Sequence, residues 1–165
     1  MMNKVSLAPK APIMGDLLSR IPEVPKPVGD FPELPSFLDE LNDSELMELY
    51  THFINWGSYA KHELVQAEII EERTANQQKF SEATVLIEQW GEGAKGDTVT
   101  LAKARRDTDP AVVDAANDYL EARAVRKLTE SMFERCERGA QVVSRELSRR
   151  ISMAPNERRA GRYSA

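Results

Sequence analysis

The sequence has one cysteine, Cys136, and few aromatic side chains. A single cysteine cannot form an intrachain disulfide, and this usage is typical of a reducing compartment. There is no run of about 18 apolar residues, so we expect no membrane-spanning segment. The first residues contain no continuous apolar stretch and are broken by prolines, so we expect no signal peptide. These absences favour a cytoplasmic protein without membrane contact.

Residue types that carry chemistry are also scarce. His52 and His62 are the only histidines, and their spacing fits neither a zinc site nor the Glu-x-x-His pairs of di-iron bundles. Cys136 has no histidine near it in sequence, so we interpret it as a small buried apolar residue and not as a nucleophile. The carboxylates form no identifiable acid–base pair. The sequence therefore predicts no catalytic residue, no cofactor and no metal.

Residues 91–96 (GEGAKG) match the pattern G-x-G-x-x-G. A dinucleotide site requires a strand before this pattern and a helix that starts within it. A helical pattern precedes it here, and no strand pattern occurs anywhere in the sequence. We interpret it as a flexible loop between helices.

Seven of the nine prolines lie in residues 1–35. Because proline lacks an amide donor and restrains the residue before it, we expect an extended, disordered arm. The arm contains a short apolar cluster at helical spacing: Ile13, Met14, Leu17, Leu18 and Ile21. This cluster either docks on a partner or neighbouring subunit, or folds back onto the body of its own chain. We divide the chain into this arm (1–35), a helical domain (36–154) and a basic flexible tail (155–165).

The helical domain begins with two start signals. Residues 36–39 (SFLD) resemble the opening of a short helix, and residues 42–45 (NDSE) form a capping box for a long one that ends at Gly91. Its apolar positions recur every three or four residues. They include Leu46, Leu49, Tyr50, Phe53, Gly57, Ala60, Leu64, Ala67, Phe80, Ala83, Leu86, Ile87 and Trp90. The polar residues 71–79 are expected to continue the helix as a solvated rod. The aromatic residues are interpreted as packing residues.

A connector and a second long helix follow. Thr98 or Thr100 is expected to cap a short helix that runs through residues 101–106, and Asp109-Pro110 predicts the next helix start. The second long helix is expected to stop at Pro155. Its apolar stripe advances mostly by four residues, which predicts a seam that drifts slowly around the helix. The stripe comprises Val113, Ala116, Leu120, Ala124, Leu128, Met132, Cys136, Ala140, Val143, Leu147 and Ile151.

Together these elements predict an all-α fold. Two long amphipathic helices are expected to form an antiparallel hairpin or coiled-coil-like pair, with a short connector helix between them and the proline-rich arm before them. Such a pair encloses no thick core, so we expect a homo-oligomer.

The charge is distributed unevenly along the chain. Residues 1–90 hold 7 basic and 15 acidic residues, whereas residues 135–165 hold eight arginines and three glutamates. This polarity favours contact with phosphate at the carboxyl-terminal end, although a solvated basic tail or head-to-tail assembly explains it as well. The candidate nucleic-acid-binding residues are Arg138, Arg145, Arg149, Arg150, Arg158, Arg159 and Arg162.

Helical spacing places Arg138, Arg145 and Arg149 on one face, and Arg135 extends the row. Guanidinium groups in a row can meet successive phosphates with little sequence preference. The tail arginines, with Tyr163, add further contacts to a single strand. In the alternative interpretation Arg138 pairs with Glu134 and Arg149 with Glu146, or the row meets an acidic face of another subunit.

The layout resembles the UvsY-like recombination mediators of tailed phages. A leucine-rich helix (residues 46–68), a polar middle, a Lys/Ala connector (101–113) and a long second helix (119–147) carry the resemblance. The proline-rich arm, residues 144–150 and the overall acidity depart from that family.

The resemblance implies a non-enzymatic phage protein of DNA recombination that assembles into rings and binds single-stranded DNA. It would help a RecA-like recombinase to displace a single-strand-binding protein. The alternative is a helical scaffold or chaperone protein of a phage whose arm docks on neighbouring subunits.

Overall fold

The computed structural model describes the backbone of residues 23–92 and 99–160, and the side chains of residues 23–89 and 99–153. In these ranges the chain forms three helices and no strand: α1 (Asp43–Glu92), α2 (Val99–Asp107) and α3 (Pro110–Ala160). The predicted all-α class is confirmed. The apolar cluster of residues 13–21, residues 93–96 of the glycine motif and Arg162 lie outside the described residues. None of these helices is apolar over a stretch long enough to cross a bilayer.

Both long helices begin where the sequence predicts. The amide of Asn42 donates to the Glu45 carboxylate over 2.8 Å, and the amide of Glu45 donates to Asn42 Oδ1 over 2.9 Å. This reciprocal pair is a capping box, which satisfies donors that the first turn leaves free. At the start of α3, the amide of Ala111 donates to the Asp109 carboxylate over 2.9 Å, and these two residues flank Pro110. Both predicted starts are confirmed.

Two predicted boundaries are wrong. Residues 36–39 form no helix, and the chain there makes only a turn in which the amide of Leu41 donates to the carbonyl of Leu38. Too few residues separate Pro35 from the cap at Asn42 for a helix to form. The second error is the stop at Pro155, since α3 continues to Ala160. A proline inside a helix removes one backbone hydrogen bond, and the helix-favouring Glu, Arg and Ala residues that follow let the helix continue.

Helices α1 and α3 lie side by side and antiparallel. Near the start of α1, Arg150 bonds to Asp43 over 2.9 Å, and further along α1 Arg126 forms an ion pair with Glu71. The partner numbers on α3 thus fall as those on α1 rise. We call the end with Asp43 and Arg150 the open end, and the end near α2 the connector end.

The contact seam of α3 follows steps of alternately three and four residues. Its buried apolar residues are Val112, Ala115, Ala122, Cys136, Ala140 and Val143, and the half-buried Tyr119, Arg126, Thr129 and Phe133 fill the positions between them. A mean step of 3.5 residues keeps a seam facing its partner along the whole helix. The predicted stripe, with its steps of four, coincides with this seam from Met132 to Leu147. It is wrong towards both ends, where Val113, Leu120, Leu128 and Ile151 are exposed.

The two halves of the seam differ in composition. At the open end the buried core contains the large side chains of Leu46, Phe53 and Trp56, packed with Cys136, Ala140 and Val143. Towards the connector end the buried apolar residues are only alanines and valines, and the Glu71–Arg126 ion pair spans the seam. Most of the hydrophobic stabilisation therefore lies at the open end.

Residues 23–41 fold back along the open end. The ring of Phe31 packs edge-on against Trp56 with centroids 5.4 Å apart, and Pro32 is buried beside it. The guanidinium of Arg135 lies 4.9 Å from the centre of the Phe31 ring, and the Lys26 ammonium lies 5.6 Å from that of Trp56. The described part of the proline-rich arm therefore packs on the body of its own chain.

Candidate nucleic-acid interface

The arginine-rich part of α3 follows directly from the seam. Because Cys136, Ala140 and Val143 face α1 and are buried, the residues between them point sideways or into solvent. Arg138, Arg145 and Arg149 occupy such outer positions, whereas Arg150 lies at the contact with α1.

Arg138 and Arg145 lie on the outer surface of α3, two helical turns apart. Arg138 is 73% exposed and donates to Glu134 over 2.7 Å. Arg145 is exposed and has no ion-pair partner among the described side chains. It borders a shallow groove that also contains Tyr50 and Ile54.

Arg149 and Arg150 share one carboxylate. Arg149 makes a two-pronged contact with Glu146 at 2.7 and 2.8 Å, and Arg150 donates to the same carboxylate over 2.8 Å. The alternative interpretation of the sequence, with Arg138 on Glu134 and Arg149 on Glu146, is thus confirmed for both pairs. Arg149 remains half exposed, and its third nitrogen, Nη1, donates only to the sulfur of Met153 over 3.2 Å, a weak acceptor that a ligand can replace.

Arg150 has a structural position. Its side chain is only 21% exposed, and besides Glu146 it donates to Asp43 over 2.9 Å and to the carbonyl of Leu38 over 3.0 Å. It therefore connects α3 to the start of α1 and to the turn before it. Sequence spacing placed Arg150 among the candidate DNA-binding residues, but these bonds leave it few free donors.

The remaining arginines of the charged end do not form one group in the structure. The backbone of Arg158 and Arg159 belongs to the last turns of α3, and Arg162 lies outside the described residues. Arg135, which the sequence places in the row, instead stacks over the Phe31 ring. No local sequence pattern predicts this contact, because Phe31 lies about a hundred residues away in the arm.

The carboxylate of Glu146 responds strongly to its partners. Hydrogen bonds from Arg149 and then Arg150 lower the pKa of Glu146 from its ordinary value of 4.5 to about 2. A carboxyl group with a lowered folded-state pKa contributes stability above its unfolded pKa, and that contribution disappears as the pH falls through the folded value.

We expect urea unfolding of the wild-type protein to show a loss of stability between pH 4.5 and pH 2 to which Glu146 contributes. The variant Glu146→Gln should be less stable than wild type at pH 6 and should lose less stability on acidification. An identical pH dependence in the two proteins would show that the carboxylate has no such role.

The histidines and the cysteine have ordinary partners. His52 accepts a hydrogen bond from Trp56 Nε1 over 3.0 Å, and His62 pairs with Gln66 over 2.8 Å. Cys136 is buried against α1, and this burial raises the pKa of its thiol. Among the described residues no three His, Cys, Asp or Glu side chains come together to hold a metal ion.

Comparison of the chain with protein families, with curated proteins and with solved structures found no match. The resemblance to UvsY-like mediators therefore remains a hypothesis from the sequence.

Proposed function

We propose that this chain is a non-enzymatic, oligomeric accessory protein of the recombination-mediator type that binds single-stranded DNA through the arginine-rich end of α3. In this role it would act in the cytoplasm, and its protein partners would be a RecA-like recombinase and a single-strand-binding protein. The sequence resemblance suggests these partners.

One observation supports DNA binding above the others: Arg138, Arg145 and Arg149 lie along the solvent-facing part of one continuous helix. Arg145 is free of ion pairs among the described side chains. The Arg138–Glu134 pair lies at the surface, where such pairs contribute about 0–1 kcal/mol, so a phosphate can compete with that carboxylate. Arg149 is half exposed and can meet a phosphate while it keeps its bonds to Glu146. Guanidinium groups bind phosphate in the same two-pronged way.

The length of α3 also favours DNA binding at the open end of the molecule. Arg150 meets Asp43, the first residue of α1, yet α3 continues for ten residues to Ala160. At the rise of an α-helix this is about 15 Å beyond the start of α1. The backbone of α3 thus places Arg158 and Arg159 beyond Asp43, the first residue of α1.

We expect the protein to bind a fluorescein-labelled oligo-dT at low salt, measured by fluorescence anisotropy. The triple variant Arg138→Ala, Arg145→Ala and Arg149→Ala should bind more weakly, because each lost phosphate contact removes counterion release. The slope of log K against log salt concentration should become shallower by about 2, at about 0.7 for each contact to a single strand.

A matched control removes three exposed cations elsewhere on the chain: Lys103, Arg123 and Lys127. This control changes the net charge by the same amount and should bind nearly as wild type. Absence of binding by the wild-type protein at low salt would exclude the proposed function. Equal losses in both triple variants would show a diffuse charge effect and no site at the end of α3.

A scaffold or chaperone role in a phage assembly is the second candidate. Val113 and Leu120 on α3 support it, because both are large apolar residues that the α1–α3 pair leaves exposed. Surfaces of this kind mark contacts between proteins. The mass in solution, measured with and without oligo-dT, separates the two roles: the scaffold role requires assembly that DNA does not change.

A further inference from the structure

The surface beside the arm is only partly covered. Phe31 packs on Trp56 and beneath Arg135, which defines one side of the α1–α3 pair as the arm side. Heptad spacing repeats a side every seven residues, so Ile70, two heptads after Trp56, lies on this same side. On α3, Val125 and Leu128 precede Arg135, which lies over the Phe31 ring, by ten and seven residues, so they share its side of the helix. The Glu71–Arg126 ion pair places Val125 level with Ile70 along the pair.

This region carries apolar side chains that nothing covers among the described residues. Leu128 is 69% exposed, Ile70 50% and Val125 49%. We call the arm-side strip the set Tyr59, Ile70, Val125, Leu128 and Met132. It continues the surface on which the arm already packs, since Tyr59 contacts Trp56 edge-on at 5.9 Å.

The described part of the arm begins beside this strip. Lys26, close to its first described residue, reaches the ring of Trp56, and Trp56 contacts Tyr59 of the strip. The arm between Lys26 and Pro35 stays near the same part of α1, with Gly29 beside His52 and Phe31 on Trp56. The first 22 residues of the sequence precede this described part of the arm.

We propose that residues 13–21 dock on the arm-side strip of their own chain. Their five apolar residues recur at helical spacing, which gives one apolar face of about two turns. The distance can be spanned: Trp56 and Ile70 are 14 helical residues or about 21 Å apart, while five extended residues and a nine-residue helix cover about 30 Å. The tether raises the effective concentration of the segment at its own strip above that of a neighbour's segment.

The test uses disulfide formation in the full-length chain with Cys136→Ala, which removes the native thiol. One variant carries Leu17→Cys and Leu128→Cys. The matched control carries Leu17→Cys and Ser58→Cys, since Ser58 is exposed on the opposite side of the pair, beside the groove that contains Ile54 and Lys61. Mild oxidation followed by non-reducing electrophoresis and mass spectrometry distinguishes bonds within a chain from bonds between chains.

We expect an intrachain disulfide in the Leu17–Leu128 variant and little in the control. A predominantly intermolecular disulfide would overturn the proposal in favour of docking on a second copy. Equal yields in the two variants, or no disulfide in either, would overturn it as well.

A second measurement does not depend on bond geometry. With Leu128→Cys alone in the same background, the thiol should react with a maleimide about tenfold more slowly than the thiol of Ser58→Cys. Adding Leu17→Asp and Leu18→Asp should restore fast reaction at position 128 and leave position 58 unchanged. Fast reaction at position 128 without these changes would contradict the proposal.

Discussion

Trp56→Ala should lower the free energy of unfolding by about 3–5 kcal/mol, the usual cost of removing a large buried aromatic side chain. Trp56 is 4% exposed and belongs to the core that α1 and α3 share, at the place where the arm packs on it. Its ring contacts Phe31 of the arm and Tyr59 of α1, and its indole N–H donates to His52. The loss therefore combines a cavity with release of the arm. Urea titration followed by far-ultraviolet circular dichroism measures it.

The control for this variant is Phe80→Ala. Phe80 is an aromatic residue of the same helix but is 61% exposed. Substitutions at such surface positions usually change stability by less than about 0.5 kcal/mol. If the two variants lost similar stability, the core assigned to the open end would be wrong.

Gly139→Ala is expected to destabilise the protein by about 1–3 kcal/mol, the usual cost of overpacking. A Cβ atom at position 139 would overlap three carbons of the Phe53 ring, which is buried at the seam between α1 and α3. Either the ring leaves its position or the two helices move apart. Both changes disturb the large side chains of the open end.

Gly57→Ala is the matched variant with the opposite expected sign. A Cβ atom at position 57 would lie 3.5 Å from Cys136 Cβ, which is an ordinary contact. Alanine is favoured over glycine inside a helix by about 1 kcal/mol, so this variant should be more stable than wild type. Thermal unfolding of both variants under identical conditions tests the pair. A destabilised Gly57→Ala protein would contradict the 3.5 Å spacing between position 57 and Cys136.

The sequence predicted the helical class and both long-helix starts correctly, because caps are local signals. The capping hydrogen bonds of residues 42–45 and of Asp109 join residues no more than three positions apart in the sequence. The buried stripe of α3 was harder to predict. Steps of four through Leu120 and Leu128 are as apolar as the true seam, and only the partner helix decides which stripe is covered. The predicted stop at Pro155 was wrong for a similar reason. Proline disfavours a helix locally, but the helical residues before and after Pro155 outweigh this preference.

The candidate site divides in the same way. Pairing of Arg138 with Glu134 and of Arg149 with Glu146 follows from helical spacing and was predicted as the alternative interpretation. The separate positions of Arg135 and Arg150 were not predicted. Their partners, Phe31 and Asp43, are about a hundred residues distant in sequence, and no local sequence pattern predicts such contacts.

The Glu71–Arg126 ion pair has a consequence for how the two long helices can slide. A slip by one heptad, about 10 Å along the axis, would again place seam positions against seam positions, and the alanines near the connector end would hardly resist it. The slip would, however, separate Glu71, which is 18% exposed, from Arg126, and would leave Arg126 only with Glu130 of its own helix. Unpaired charges at such positions are costly. Together with the Arg150–Asp43 pair and the core of the open end, this ion pair fixes how far α3 extends beyond α1, and with it the reach of the arginine-rich end.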